Sequence, residues 1–214
     1  MKTLFCVFLT VVSHLTYSQE NNFIPKNYTE FSKSPSNGEN FKRIVSDFDN
    51  DSKNDIITVI HNKTYDDLKS NKKFLFIYLS SQKKSILVDF DIFYGVYFIP
   101  PKLKNKTLEF QLYQEGTGVY GHNLKLRYNN KFKKIELIGY DYSYRTPGGH
   151  CNKTYNLLTG KYIVINDFYD MKTNKTKIEQ FSGTQKQKNE IFTTDFNNEI
   201  FGQLSEIGKK YERE

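Results

Sequence analysis

The chain has 214 residues, 16% of them aromatic, and its 31 Lys and Arg against 24 Asp and Glu give a net charge of +7. Many lysines occur as pairs in predicted turns and do not form one basic stripe, which argues against a nucleic-acid partner. After the first eighteen residues, no stretch is long and apolar enough to span a membrane as a helix, so we expect no such transmembrane segment in the rest of the chain.

The N-terminus has the three-part layout of a secretory signal. Lys2 gives a positive head, Leu4 to Val12 is an unbroken apolar run, and Ser13 to Ser18 ends in small residues. We predict that residues 1–18 are a cleavable signal peptide and that residues 19–214 form a single β-rich domain, secreted or periplasmic. Cys6 falls within the signal, so Cys151 has no partner for an intrachain disulfide.

The next motif along the chain is acidic, DFDNDSKND at residues 47–55. Its candidate ligands for a hard cation are four carboxylates and one backbone carbonyl, that of Lys53: Asp47, Asp49, Asp51, Lys53 and Asp55. Calcium is the natural occupant, because it takes six to eight oxygen ligands. Carboxylates brought close together repel unless a cation or a proton joins them, and Lys53 or Arg43 could serve in place of calcium. The alternative is an Asp- and Asn-rich turn whose side chains extend into water.

This loop resembles the calcium-binding hairpin of FG-GAP and VCBS repeats, which carries the pattern D-x-D-x-D-x-x-x-D between two strands. The resemblance implies calcium-ligand roles for Asp47, Asp49, Asp51 and Asp55. Ser52 stands where that family prefers glycine. The loop is not an EF-hand, since it lacks the glycine at position six and the glutamate at position twelve.

The rest of the chain is rich in β-forming residues separated by turn signals. The predicted strands are Ile56–Ile60, Phe74–Leu79, Ile86–Phe93, Leu108–Tyr113, Leu124–Tyr128, Ile135–Tyr140 and Tyr162–Phe168. Short connections favour antiparallel neighbours, so we expect a mainly β antiparallel meander or sandwich-like domain. Only Asn197–Glu206 has helical spacing, which Gly202 weakens, and it predicts a short C-terminal helix.

A row of alternating tyrosines marks a candidate binding surface for a glycan or a protein. Three tyrosines would share one face of a strand, and residues of preceding strands would extend that face: Tyr140, Tyr142 and Tyr144 with Tyr113, His122 and Arg127. The alternative is a sheet face that neighbouring loops cover.

A wider resemblance covers most of the mature chain. The segments that carry it are Ile24–Phe31, Ser46–Ile60, Gly95–Leu103, Leu124–Tyr128, Glu136–Ser143 and Tyr155–Lys161. Together they are similar to a group of exported bacterial proteins that is common in Bacteroidetes. The resemblance implies one continuous domain and bacterial export, and it assigns no activity.

Two function classes follow. The favoured one is a non-enzymatic binding or interaction module with a structural calcium loop, since the sequence has no nucleophile elbow, zinc-binding His pair or phosphate loop. The alternative is a secreted, glycan-active hydrolase that uses Asp89 and Asp91, which would share one face of a strand. His150 and Cys151 are poorly placed as a catalytic pair, because neighbours in a strand point to opposite faces.

Overall fold

The computed structural model describes residues 23–34, 38–63, 72–90, 92–93, 96–114 and 120–213. The predicted signal peptide and Asp91 lie outside these residues. Within them the chain forms two antiparallel sheets and one short α-helix.

The N-terminal half forms a five-stranded sheet. Its strands are β1 (Tyr28–Glu30), β2 (Ile44–Ser46), β3 (Asp55–Asn62), β4 (Lys73–Leu79) and β5 (Lys84–Asp89). The central strand β3 pairs with both β1 and β2 on one side and with β4 on the other, and β5 closes the sheet. Ile57, Val59 and Ile60 of β3 are fully buried, as their apolar, β-branched character favours.

The C-terminal half forms a seven-stranded meander in strict sequence order. Its strands are β6 (Tyr97–Lys104), β7 (Thr107–Gln114), β8 (Tyr120–Asn129), β9 (Lys134–Thr146), β10 (Gly149–Asn156), β11 (Lys161–Asp170) and β12 (Lys175–Thr184). All pairings are antiparallel. The predicted mainly β, antiparallel fold is therefore confirmed.

One hydrophobic cluster draws side chains from both sheets. Leu75 and Ile77 of the first sheet and Phe110 and Leu124 of the second have no exposed surface and belong to this cluster. Burying such a side chain contributes about 1.5 to 3 kcal/mol. Because alternate residues of each strand point inward, the other residues of the seven-stranded sheet form an outward face.

The predicted C-terminal helix is present as α1 (Asn198–Ser205). The Asn197 side chain caps it by accepting a hydrogen bond from the Ile200 N–H at 2.9 Å. Phe201 and Leu204 are buried, and the Phe201 ring meets the Tyr140 ring edge-on at 5.4 Å. At eight residues, α1 is the longest helix that the structure describes, and no helix there has the length and hydropathy of a membrane span.

The segment after α1 crosses the inward face of strands β9 to β12. Lys153 of β10, which is 6% exposed, forms an ion pair with Glu212 and also donates to the Ser205 carbonyl. Tyr144 of β9 donates to the same Glu212 carboxylate. The Asn166 side chain of β11 donates to the backbone carbonyl of Tyr211 at 2.8 Å. The Lys153 ammonium and the Asn166 amide N–H group are thereby paired, whereas Oδ1 of Asn166 has no hydrogen-bond partner among the described residues.

Candidate functional site

The acidic loop joins β2 to β3 and winds tightly. Asn50 and Ser52 both adopt left-handed backbone conformations, with φ of 66° and 69°. This winding brings carboxylate oxygens of Asp47, Asp49 and Asp55 within 4.8 Å of one another. Oxygens that bind one calcium ion at 2.3 to 2.6 Å lie at most about 5 Å apart, so the spacing suits that ion.

Asp55 holds the loop in this shape. It is fully buried, and its Oδ2 accepts hydrogen bonds from the N–H groups of Phe48 at 2.9 Å and Asp49 at 3.2 Å. Its Oδ1 accepts from the Ser80 N–H at 2.9 Å, in the turn between β4 and β5. One carboxylate therefore ties both the acidic loop and that turn to the start of β3.

Asp49 is the exceptional member of the group. It is 3% exposed, and its Oδ2 accepts from Gln82 at 2.9 Å, while Gln82 also donates to the Tyr128 hydroxyl at 2.8 Å. Its Oδ1 is buried and accepts no hydrogen bond from any residue that the structure describes. Burial, followed by the nearby charge of Asp55, raises the pKa of Asp49. Among the described residues, Asp49 thus has one buried carboxylate oxygen without a hydrogen-bond donor.

Asp47 is partnered by a lysine that sequence reasoning missed. Its Oδ1 accepts from the Asp51 N–H at 3.0 Å, and its Oδ2 accepts from Lys106 Nζ at 2.8 Å. Lys106 also donates to the Asp47 carbonyl. The hydrogen bond from Lys106 lowers the pKa of Asp47. Lys106 lies 59 residues further along the chain, in the turn between β6 and β7, so no local pattern indicates the contact.

The two remaining predicted ligands lie at the exposed end of the loop. Asp51 is outside the group of three converging carboxylates, and its Oδ1 accepts from the Lys53 N–H at 2.9 Å. The hydrogen bond from the Ser81 side chain lowers the pKa of Asp51. Asp51 therefore helps to form the turn, and the structure brings together three of the four predicted aspartates.

The tyrosine row forms a stacked ladder on the inward face of the seven-stranded sheet. Tyr142 stacks on Tyr140 at 6.3 Å and on Tyr144 at 5.3 Å between ring centroids. Tyr140 is only 2% exposed, and its hydroxyl lies 2.8 Å from Nδ1 of His122. Burial lowers the pKa of His122 to about 4, so this imidazole is neutral near pH 7. The buried end of the ladder belongs to the core.

The other two residues proposed for that surface lie on the outward face. Tyr113 follows the buried Leu112 and is 36% exposed, while Arg127 lies between buried residues and pairs with Glu136 at 3.0 Å. The six residues therefore do not share one surface. The physical reason is strand parity, since a shift of one residue moves a side chain to the opposite face.

The outward face carries a shallow groove of about 290 Å³. Its side chains are mostly uncharged and polar, and they include Gln111, Tyr113, Asn123, Asp141, Ser143 and Thr154. Oδ2 of Asp141 accepts from Asn123 and from Lys125, each at 2.9 Å, and the Lys125 ammonium offsets the acidic charge, while Oδ1 of Asp141 has no hydrogen-bond partner among the described residues. A Cβ at Gly121 would lie 2.5 Å from Ser143 Oγ, so a larger residue there would displace the Ser143 side chain.

Sequence reasoning did not find this groove. Polar residues that alternate with apolar ones along a strand have the pattern of any solvated sheet face. Only the pairing of β7, β8, β9 and β10 places these residues beside one another. The register between these neighbouring strands, which decides which side chains lie side by side, is not visible in a single sequence.

The His150 and Cys151 side chains do not converge, and of the two aspartates considered for catalysis only Asp89 lies within the described residues. Cys151 is fully buried and burial raises its thiol pKa, whereas His150 is exposed and lies 3.3 Å from Asp167. The two side chains point to opposite faces, as predicted. Asp89 ends β5 and forms an ion pair with Lys72 at 2.6 Å.

Comparison of the chain with protein-family models, with curated proteins and with solved structures gives no match. The resemblance of the acidic loop to FG-GAP repeats and the wider resemblance to exported bacterial proteins stay predictions.

Proposed function

We propose that the chain is an exported, non-enzymatic binding module whose acidic loop takes up calcium as a structural ion. The observation that carries this proposal is the buried, unpaired Oδ1 of Asp49 beside two further carboxylates. Burying a carboxylate with one oxygen unpaired costs free energy, and a divalent cation offsets that cost. The residues that would hold the ion are Asp47, Asp49 and Asp55.

When bound, calcium supplies positive charge and accepts oxygen ligands without a fixed geometry. The protein residues do the positioning. Asp55 already fixes the backbone of Phe48 and Asp49 through its hydrogen bonds, and Gln82 orients the Asp49 carboxylate. The ion would therefore join a loop that is largely preorganised, which suits a stabilising role.

Calcium is expected to raise the stability of the mature chain. Extracellular calcium modules have Kd values of about 10⁻⁴ to 10⁻³ M, so 10 mM CaCl₂ should add about 1.5 to 3 kcal/mol and raise the melting temperature by roughly 3 to 10 °C relative to EDTA. Asp49→Asn should abolish this rise, because it removes the unpaired anionic oxygen. Thermal unfolding with CaCl₂, MgCl₂ and EDTA measures both effects.

Asp167→Asn is the matched control, since it removes an exposed carboxylate far from the loop in sequence. It should respond to calcium as the natural chain does. An unchanged melting temperature of the natural chain in calcium, or an equal rise in Asp49→Asn, would contradict the structural-ion role.

The binding role is assigned to the outward groove, and a neutral glycan is the partner that its lining supports best. Amide and hydroxyl groups such as Gln111, Asn123 and Thr154 can exchange hydrogen bonds with sugar hydroxyls. The ring of Tyr113 offers an apolar surface for the face of a sugar. The neutralised Asp141 leaves the groove without a charge excess.

Tyr113→Ala is expected to weaken glycan binding by about tenfold, because it removes the aromatic surface at the groove. A neutral oligosaccharide array identifies the ligand, and calorimetry compares the variants. Tyr120→Ala is the control: Tyr120 is 38% exposed against 36% for Tyr113, but it lies on the inward face. The groove is excluded as the site if Tyr113→Ala binds normally or if Tyr120→Ala alone loses affinity.

A further inference from the structure

Lys106 occupies an unfavourable position in a tight turn. Asn105 and Lys106 form the two-residue connection between β6 and β7, and both have positive φ, 50° and 59°. A two-residue turn with positive φ at both positions favours Asn-Gly, because glycine has no Cβ. Lys83 and Lys133 also have positive φ, at 48° and 54°, so the backbone alone does not single out Lys106.

The contacts of Lys106 supply a reason for its presence. Its ammonium donates to Oδ2 of Asp47 at 2.8 Å and to the Asp47 carbonyl, so it binds two oxygens of one residue of the acidic group. No hydrogen bond is described between Lys106 and the unpaired Oδ1 of Asp49, and none between Lys106 and the Asp55 carboxylate. An ammonium ion thus neutralises one of the three carboxylates, while the hydrogen bonds described for Asp49 and Asp55 come from uncharged donors.

We propose that Lys106 is a built-in competitor for the cation of the acidic loop, and that calcium must displace its ammonium from Asp47 in order to bind. This inference rests on the proposed calcium loop. Two cations that share one carboxylate repel each other, so the lysine lowers calcium affinity and leaves the ion-free loop partly neutralised. The lysine also links the loop to the β6–β7 turn of the other sheet, and calcium binding would release that link.

Calcium titration of the mature chain by calorimetry tests the competition. Lys106→Gly removes the ammonium and restores the favoured Asn-Gly turn, while Lys106→Met removes the charge and keeps a long side chain. Both variants should bind calcium roughly tenfold more tightly than the natural chain. Lys104→Met is the matched control, since it removes an exposed lysine two residues away, and it should leave the affinity unchanged.

The outcomes separate this inference from the proposed function. Equal or weaker calcium affinity in both Lys106 variants, with a natural chain that binds, overturns the competition and leaves the calcium loop standing. If only the Lys106 variants bind calcium, the result supports the competition and overturns the proposal of a structural ion in the natural chain. If neither the natural chain nor the variants bind calcium, both proposals are overturned.

Discussion

Replacing Asp55 with alanine should lower the free energy of unfolding by about 3 to 5 kcal/mol, even in EDTA. The carboxylate is fully buried and accepts three backbone hydrogen bonds, from Phe48, Asp49 and Ser80. Each buried N–H group left without an acceptor costs about 1 to 3 kcal/mol, and alanine offers no acceptor. Urea unfolding in calcium-free buffer measures the loss.

Asp51→Ala provides the comparison, because Asp51 lies at the exposed end of the same loop and accepts its backbone bond from Lys53 on the surface. Asp51→Ala should lower the free energy of unfolding by less than about 1 kcal/mol. Equal losses in the two variants would show that the loop has no buried anchor at Asp55. Because EDTA removes calcium, a large loss of stability in EDTA comes from the anchoring role of Asp55 and not from metal binding.

Removing the carboxylate of Glu212 should cost about 3 to 5 kcal/mol, because it leaves the Lys153 ammonium buried without an ionic partner. Glu212→Ala also removes the acceptor of the Tyr144 hydroxyl. The double variant Lys153→Met with Glu212→Leu should recover most of the loss, since apolar groups of similar size replace a buried ion pair at little net cost. Chemical denaturation of the two single variants and the double variant gives the coupling energy.

The pair of Lys209 and Glu206 serves as the reference for this measurement. Both side chains are well exposed, at 60% and 58%, so Glu206→Ala should change stability by less than about 1 kcal/mol. A Glu212→Ala loss as small as that of Glu206→Ala would mean that the segment after α1 does not close over β10 in solution.

The local sequence pattern was sufficient to predict those strands in which apolar and polar residues alternate. The run Leu108 to Tyr113 lies within β7, and the helical spacing of residues 197–206 corresponds to α1. Strands β10 and β12 escaped sequence reasoning, because their polar sequences GHCNKTYN and KTKIEQFSGT resemble loops. Their strand conformation comes from pairing with β9 and β11, which is a tertiary effect.

The candidate site, like the fold, could be predicted from the sequence only in part. The spacing of Asp47, Asp49 and Asp55 was readable, since all three lie in one short loop. The roles within that loop were not readable, because Ser80, Gln82 and Lys106, which partner its carboxylates, come from turns 25 to 59 residues away. Sequence therefore indicated where the charges gather and not which of them already have partners.

Because Cys151 is buried, its reaction with a thiol reagent reports the opening of the folded structure. Outside the predicted signal Cys151 is the only thiol, and in the folded state it has no exposed surface and a raised pKa. A thiol reagent can modify it only after β10 separates from its neighbours, so the modification rate reports how often the centre of the large sheet opens. In an oxidising compartment the same shielding protects the protein from accidental cross-linking through sulfur.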